Sequence, residues 1–233
     1  QGENLFQVDQ LYLRIMCMIK ERDMSDYSKY EKRQELLKNL YILADILILS
    51  LYFVLTSIPI ITLGASISAM HKTFYEVYVN ERSSYKMYSI YWKSFKSSLK
   101  QTSILWVGYL LIVFLFLLNE DLIHLNLRTT WMNYVSRNVL KLFIVLLSPY
   151  LYIGFAYIAR FKDTLNNVVK NTGLLILMNL KTYILILIYL GITAMLIWLL
   201  PILVLILPGF VSYKLTRRIE KVFSEFINFE EEL

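Results

Sequence analysis

The stretch Ser57-Ile-Pro-Ile-Ile-Thr-Leu-Gly-Ala-Ser66 closes one long apolar run. It opens a segment that is only half apolar, Ile67-Ser-Ala-Met-His-Lys-Thr-Phe-Tyr-Glu-Val-Tyr-Val79. If the chain turns back into a membrane here, the second segment is a span with a polar face. If it does not, one crossing is lost and a basic end of the chain falls on the wrong side. Proline cannot donate the hydrogen bond that would continue a helix, and glycine permits a reversal. Pro59 and Gly64 therefore predict the outer tip of a tight hairpin. Beyond the tip, Gly64 and Ser68, and Ala65 and Ala69, are small residues four apart. Such spacing lets helices approach closely, and the preceding span is the expected partner.

The rest of the chain supplies the membrane setting. Of 233 residues, 57% are hydrophobic and the mean hydropathy is +0.51, too apolar for a soluble domain of this size. A hydrocarbon core of about 30 Å takes roughly 20 apolar residues as helix. The candidate spans are 40–58, 64–79, 102–118, 139–159, 183–200 and 202–215. Hydropathy alone barely supports the second, but the distribution of positive charge requires it. With six spans and a cytosolic N-terminus, twenty of the 24 Lys and Arg lie on the cytosolic side. Arg128, Arg137 and Lys141 lie outside, and Lys72 lies within the second span. Five spans would export a basic terminal cluster, against the positive-inside rule. The expected fold is therefore all-α and polytopic, with six spans, both termini cytosolic and interfacial amphipathic helices. A tight hairpin near Pro201 separates the last two spans and returns the C-terminus to the cytosol.

Three regions follow: a cytosolic or interfacial helical extension over 1–38, a membrane domain over 39–216 and a cytosolic tail over 217–233. In the extension, Leu5, Val8, Leu11, Tyr12, Ile15, Met18 and Ile19 recur at helical spacing. A second polar helix begins near Asp26, with Asp23 or Ser25 as its cap. Glu3-Asn-Leu-Phe-Gln7 resembles a viral-protease cleavage sequence, so no function is placed there. No secretory signal pattern opens the chain. The net charge of +6 reads as positive-inside and lipid-facing charge, not as nucleic-acid binding. Cys17 is the sole cysteine, which excludes an intrachain disulfide.

Leu43-Ala-Asp-Ile-Leu47, the 57–66 motif and Ser94-Phe-Lys-Ser-Ser-Leu-Lys-Gln-Thr-Ser-Ile-Leu-Trp106 together resemble the YesL family of small bacterial membrane proteins. The resemblance covers roughly residues 38–221. It implies a multi-pass protein of the bacterial cell membrane. It also implies an association with carbohydrate uptake, because such proteins are commonly encoded beside sugar importers and sensor kinases. It carries over no catalytic residues.

The second span holds most of the chemistry. Ser68, Lys72 and Glu76 fall at i, i+4 and i+8 and form a polar stripe, with His71 beside it. Ions at mid-membrane are costly and face protein or water. Asp45, in the first span, lies at a depth between Lys72 and Glu76 and is expected to pair with Lys72 across the hairpin. Asp45, Ser68, His71, Lys72 and Glu76 thus form a candidate intramembrane polar cluster, either a functional site or a face that glues helices together.

Catalytic, cofactor and metal sites are not expected. His71 and His124 are far apart in sequence, with no second ligand at metal-binding spacing and no phosphate-binding glycine loop. Three function classes remain. The first is a non-enzymatic accessory subunit that contacts membrane lipids and binds another membrane protein, such as a carbohydrate ABC importer permease or a sensor kinase. The second is a small autonomous transporter using the polar face of span two. The third is an intramembrane enzyme, for which no constellation is found.

Overall fold

The computed structural model describes the backbone of residues 2–82, 84–125, 131–161 and 163–231. It describes the side chains of residues 30–82, 84–118, 135, 138–161 and 163–228. Seven α-helices are described, with no strand among these residues. They are α1 (Gly2–Ser57), α2 (Leu63–Tyr78), α3 (Met87–Leu125), α4 (Trp131–Arg160), α5 (Leu165–Met178), α6 (Leu180–Leu199) and α7 (Leu207–Glu231). Residues up to Asp45 form one compact unit and Ile46 onward a second.

Among the described residues, four helical stretches are long and apolar enough to cross a membrane: Tyr30–Ser57, Ser84–Leu118, Asn138–Arg160 and Leu180–Leu199. They contain the expected third and fourth spans, and the first and fifth to within one residue. The expected second span is α2, which has 16 residues and is about 24 Å long, short for a bilayer. Twelve of its 16 residues are buried, so protein rather than lipid surrounds it.

Several expected boundaries differ. No helix break occurs at Asp23 or Ser25, because no Gly or Pro lies between Gly2 and Pro59 to interrupt α1. Residues 88–99, ahead of the expected third span, are continuous with it as the first part of α3. The sixth span, expected over 202–215, is not one helix. Pro201–Leu205 is a 3₁₀ turn, and α7 starts at Leu207. Pro208 sits in the first turn of α7, where its missing N–H costs nothing. That helix runs on to Glu231, so the expected boundary at 216/217 falls inside it.

The 57–66 motif is a turn, as its proline requires. Ser57 ends α1, Pro59 is extended (φ −76°, ψ 109°), and Ile60–Thr62 makes one 3₁₀ turn into α2. The Thr62 hydroxyl lies 2.5 Å from the Thr56 carbonyl and 2.7 Å from that of Pro59. Ser66 Oγ donates to Thr56 Oγ1 at 2.9 Å, and Tyr91 OH lies 2.7 Å from Thr56 Oγ1. This buried hydroxyl chain ties the turn to α3.

Gly64 has a different role from the one its position suggests. No glycine in the described residues has a positive φ, so Gly64 does not make the reversal. It lies in the first turn of α2, where a Cβ would stand 2.9 Å from the Phe155 ring and 3.1 Å from the Thr102 carbonyl. Its missing side chain lets α3 and α4 close on α2. Ala65 and Ala69 are fully buried, and α2 packs on α3, α4 and α7. Gly64→Ala should lower stability by about 1–2 kcal/mol, since the Phe155 ring must move and the Thr102 carbonyl must give slightly. Gly108→Ala, which meets nothing within 4 Å, should not. Thermal melts of the two variants check this.

The largest apolar cluster joins α4, α5, α6 and α7 through Tyr152, Ala156, Val168, Leu175, Ile186 and Leu215, together with Ile219 and Phe223. By contrast, Ile104, Val107, Leu111, Phe114 and Leu115 of α3 are exposed, and α6 buries only Ile186.

Candidate functional site

The polar residues of α2 divide between two ionic clusters. His71 is 1% exposed, and its Nε2 lies 3.1 Å from Glu220 Oε1 of α7. Its Nδ1 lies 3.3 Å from Thr216 Oγ1, and Thr216 donates to the Ser212 carbonyl at 2.8 Å. The second oxygen of Glu220 lies 3.3 Å from Arg160 Nε, at the end of α4. Arg160 stacks its guanidinium over the Tyr75 ring at 4.2 Å. One carboxylate thus joins a histidine and an arginine from two other helices. Glu220 is 8% exposed, and charge this well buried persists only when paired.

Glu76 organises the second cluster. Lys72 Nζ lies 3.1 Å from its Oε1 within one helical turn, and Arg82 Nε 3.0 Å from its Oε2. Asn80 donates to Oε2 at 3.1 Å. Lys72 also lies over the Tyr75 ring at 5.0 Å, so Tyr75 has a cation from each cluster over its ring. Arg82 follows Glu81, the one described non-glycine residue with positive φ (52°), so a left-handed residue precedes the arginine at the end of α2.

Of the candidate residues, His71, Lys72 and Glu76 are thus in ionic contact. Ser68 is fully buried, and its hydroxyl has no hydrogen-bond partner among the described residues. Asp45 closes the first unit, and its expected pair with Lys72 would join that unit to the second, outside what is described of each. Pro59 and Gly64 form and follow the turn as described above. His124 and Cys17 lie outside the described side chains. Among the described residues, no group of three His, Cys, Asp or Glu is placed to hold a metal ion.

Sequence reasoning missed Glu220 and Arg160. The first falls within the cytosolic tail expected over 217–233 and the second among the basic residues expected on the cytosolic side. A signal for Glu220 was present: Ser212, Thr216 and Glu220 repeat the i, i+4, i+8 spacing of Ser68, Lys72 and Glu76. All three are buried.

Two cavities flank Arg160. One, of about 560 Å³, is bounded by Tyr75, Arg217, Glu220, Lys221 and Phe223. The other, of about 690 Å³, lies between α2, α3 and the end of α4, beside Lys72 and Glu76. Asp163 borders the second and anchors α5. It accepts from Thr164 N–H at 2.7 Å and from Asn167 Nδ2 at 2.8 Å, and its own carbonyl accepts from Gln101 at 2.7 Å. The Asn167 and Thr164 donors hold its carboxyl below the usual carboxylate range. A depressed carboxylate stabilises the fold above its unfolded pKa, about 4, and loses that contribution as pH falls through the folded value. Amide exchange in the first turn of α5, corrected for intrinsic rates, should therefore rise only below about pH 4. Asp163→Asn should show the faster exchange already at pH 7.

A family model described as "Protein of unknown function, DUF624", a family known as bacterial membrane proteins, matches residues 46–120. The match spans the end of α1, the turn, α2 and most of α3, about a third of the chain. No curated protein and no solved structure matches the chain.

Proposed function

We propose that this protein is a multi-pass subunit of the bacterial cell membrane that performs no catalysis and binds another membrane protein. The partner class is a carbohydrate ABC importer or its sensor kinase, as the resemblance to the YesL family implies. In this reading α2 and the first part of α7 complete six crossings, with both termini in the cytosol. Charge distribution supports that topology: Arg82, Arg160, Arg217 and Lys221 all line cavities around the C-terminal end of α2.

The observation that carries the binding reading is how the chain uses its polar and apolar groups. His71 is engaged with Glu220, and Glu76 with Lys72 and Arg82. Meanwhile 15 consecutive residues of α3, 104–118, contain no buried side chain, and α6 buries only Ile186. Helices so thinly packed within their own chain offer apolar faces for helices of another. The test is purification in mild detergent from the native host, followed by mass spectrometry. The reading expects an importer subunit or its sensor in stoichiometric amount. A protein that comes out alone and moves solute in liposomes contradicts it.

The second reading, a small autonomous transporter, is favoured by the cavity of about 690 Å³ beside Lys72 and Glu76. It requires that Lys72→Ala and Glu76→Ala each depress solute flux in liposomes while the protein remains folded.

A further inference from the structure

The larger cavity has a chemistry of its own. One face of α3 supplies Ile90, Lys93, Ser94, Ser97, Lys100 and Gln101, spaced to share one side of the helix. Ile158 and Phe161, around the end of α4, add apolar surface, and Lys72, Arg82 and Arg160 complete the wall. Five cationic side chains thus face two carboxylates, Glu76 and Asp163. Both carboxylates are already occupied: Glu76 by Lys72 and Arg82, and Asp163 by Thr164 and Asn167. Arg160 is held by Glu220. Among the described residues, no carboxylate lies within ion-pair distance of Lys93 or Lys100. These two ammonium groups line the cavity with the Ser94 hydroxyl, which can hydrogen-bond a phosphate oxygen, while Ser97 donates to the Ser94 carbonyl at 3.0 Å and Gln101 to that of Asp163.

The depth fits a lipid. Lys100 and Gln101 directly precede the apolar part of α3, and Lys93 lies about 10 Å further back along the helix. The polar headgroup layer has a comparable thickness. Beyond Gln101, the exposed Ile104, Val107 and Leu111 continue α3 as an apolar surface against which acyl chains can lie. A free phosphate uses the cationic wall only. A phospholipid uses both the wall and the apolar surface.

From this arrangement we infer that the cavity between α2, α3 and α4 is a binding site for the phosphate of an anionic phospholipid, with Lys93 and Lys100 as its principal cations. The site does not depend on the partner reading. The test uses the full chain in nanodiscs containing equal phosphatidylglycerol and phosphatidylcholine, with annular lipid counted by mass spectrometry after mild delipidation. Native protein should retain phosphatidylglycerol preferentially. Lys93→Gln/Lys100→Gln should weaken that preference roughly 25-fold, at about fivefold for each lysine removed near a membrane surface. Lys93→Arg/Lys100→Arg should keep it. Ser97 is exposed, so Ser97→Glu places a repelling charge in the wall without touching the core, and it should abolish the preference. Lys32→Gln/Lys38→Gln, on the exposed part of α1, should have no effect.

A second arm adds inorganic phosphate against sodium chloride of equal ionic strength. The lipid site predicts no displacement beyond that of the salt. Equal retention of both lipids, or unchanged preference in the glutamine and glutamate variants, overturns the site. Saturable phosphate binding in pure phosphatidylcholine discs, lost in Lys93→Gln/Lys100→Gln, overturns the lipid as its occupant.

Discussion

Glu220→Ala should lower stability by about 3 kcal/mol, the cost of removing one partner from a buried ion pair. For a chain of this size that corresponds to a fall of roughly 6–12 °C in Tm. The reason is that Glu220 serves two groups at once, one with each oxygen. His71 Nε2 lies 3.1 Å away and is 1% exposed, so it cannot turn to water when the carboxylate is removed. Arg160 is 30% exposed and retains its stacking on Tyr75, so it loses less. Thr216 remains on the other ring nitrogen of His71. The penalty therefore falls mainly on the histidine, and His71→Phe should recover part of it in the Glu220→Ala background. The recovery follows because an apolar pair of similar volume needs no ionic partner. Glu225, on the exposed side of the same helix, provides the control: Glu225→Ala should shift Tm by little. Equal melting of Glu220→Ala and Glu225→Ala would show that the three-helix contact contributes nothing.

Gly209→Ala should cost about 2–3 kcal/mol, far more than alanine at most exposed glycines. A Cβ at this position would meet the Ser50 hydroxyl and stand 2.6 Å from the Ile46 carbonyl, which is backbone and cannot rotate away. Ser50 Oγ accepts from Gly209 N–H at 3.0 Å and donates to the Ile206 carbonyl at 3.1 Å. The serine thus joins α1 to the start of α7 in one bidentate contact, fully buried. Ser50→Ala, which removes both bonds but fills no space, should cost less, about 1–2 kcal/mol. Gly191→Ala in α6 meets nothing within 4 Å and should be neutral or slightly stabilising. Melts in one detergent separate the three variants. Equal values for Gly209→Ala and Gly191→Ala would contradict the close approach.

The features legible in the sequence are those set by local chemistry. Pro59 breaks the chain wherever it packs, so the turn after Ser57 was readable. The same is true of the break at Pro201 and of the long apolar helices. The stripe on α2 was readable from spacing, and three of its neighbouring groups do form ionic contacts. What was not legible depends on which helix is adjacent. Gly64 looked like a hinge because its neighbours were a proline and a turn; it is a contact point because Phe155 arrives from 91 residues away. Glu220 looked solvated because Lys221, Arg217 and Arg218 surround it in sequence. Yet the i, i+4 period turns it inward with Ser212 and Thr216 while the basic residues face elsewhere. A hydropathy window averages over both faces of such a helix, so α7 ended too early in the sequence reading. The same averaging left α2 weak, because its polar residues meet protein partners rather than lipid.

The account rests on α2 crossing the membrane, and single-cysteine accessibility tests that most directly. Cys17 is the sole cysteine, so Cys17→Ala gives a clean background. Ile60 is 63% exposed in the turn before α2, and Ser84 is exposed just after it. Ile60→Cys should react with a membrane-impermeant maleimide in intact cells, and Ser84→Cys only after permeabilisation. Labelling of both from the same side would contradict the crossing.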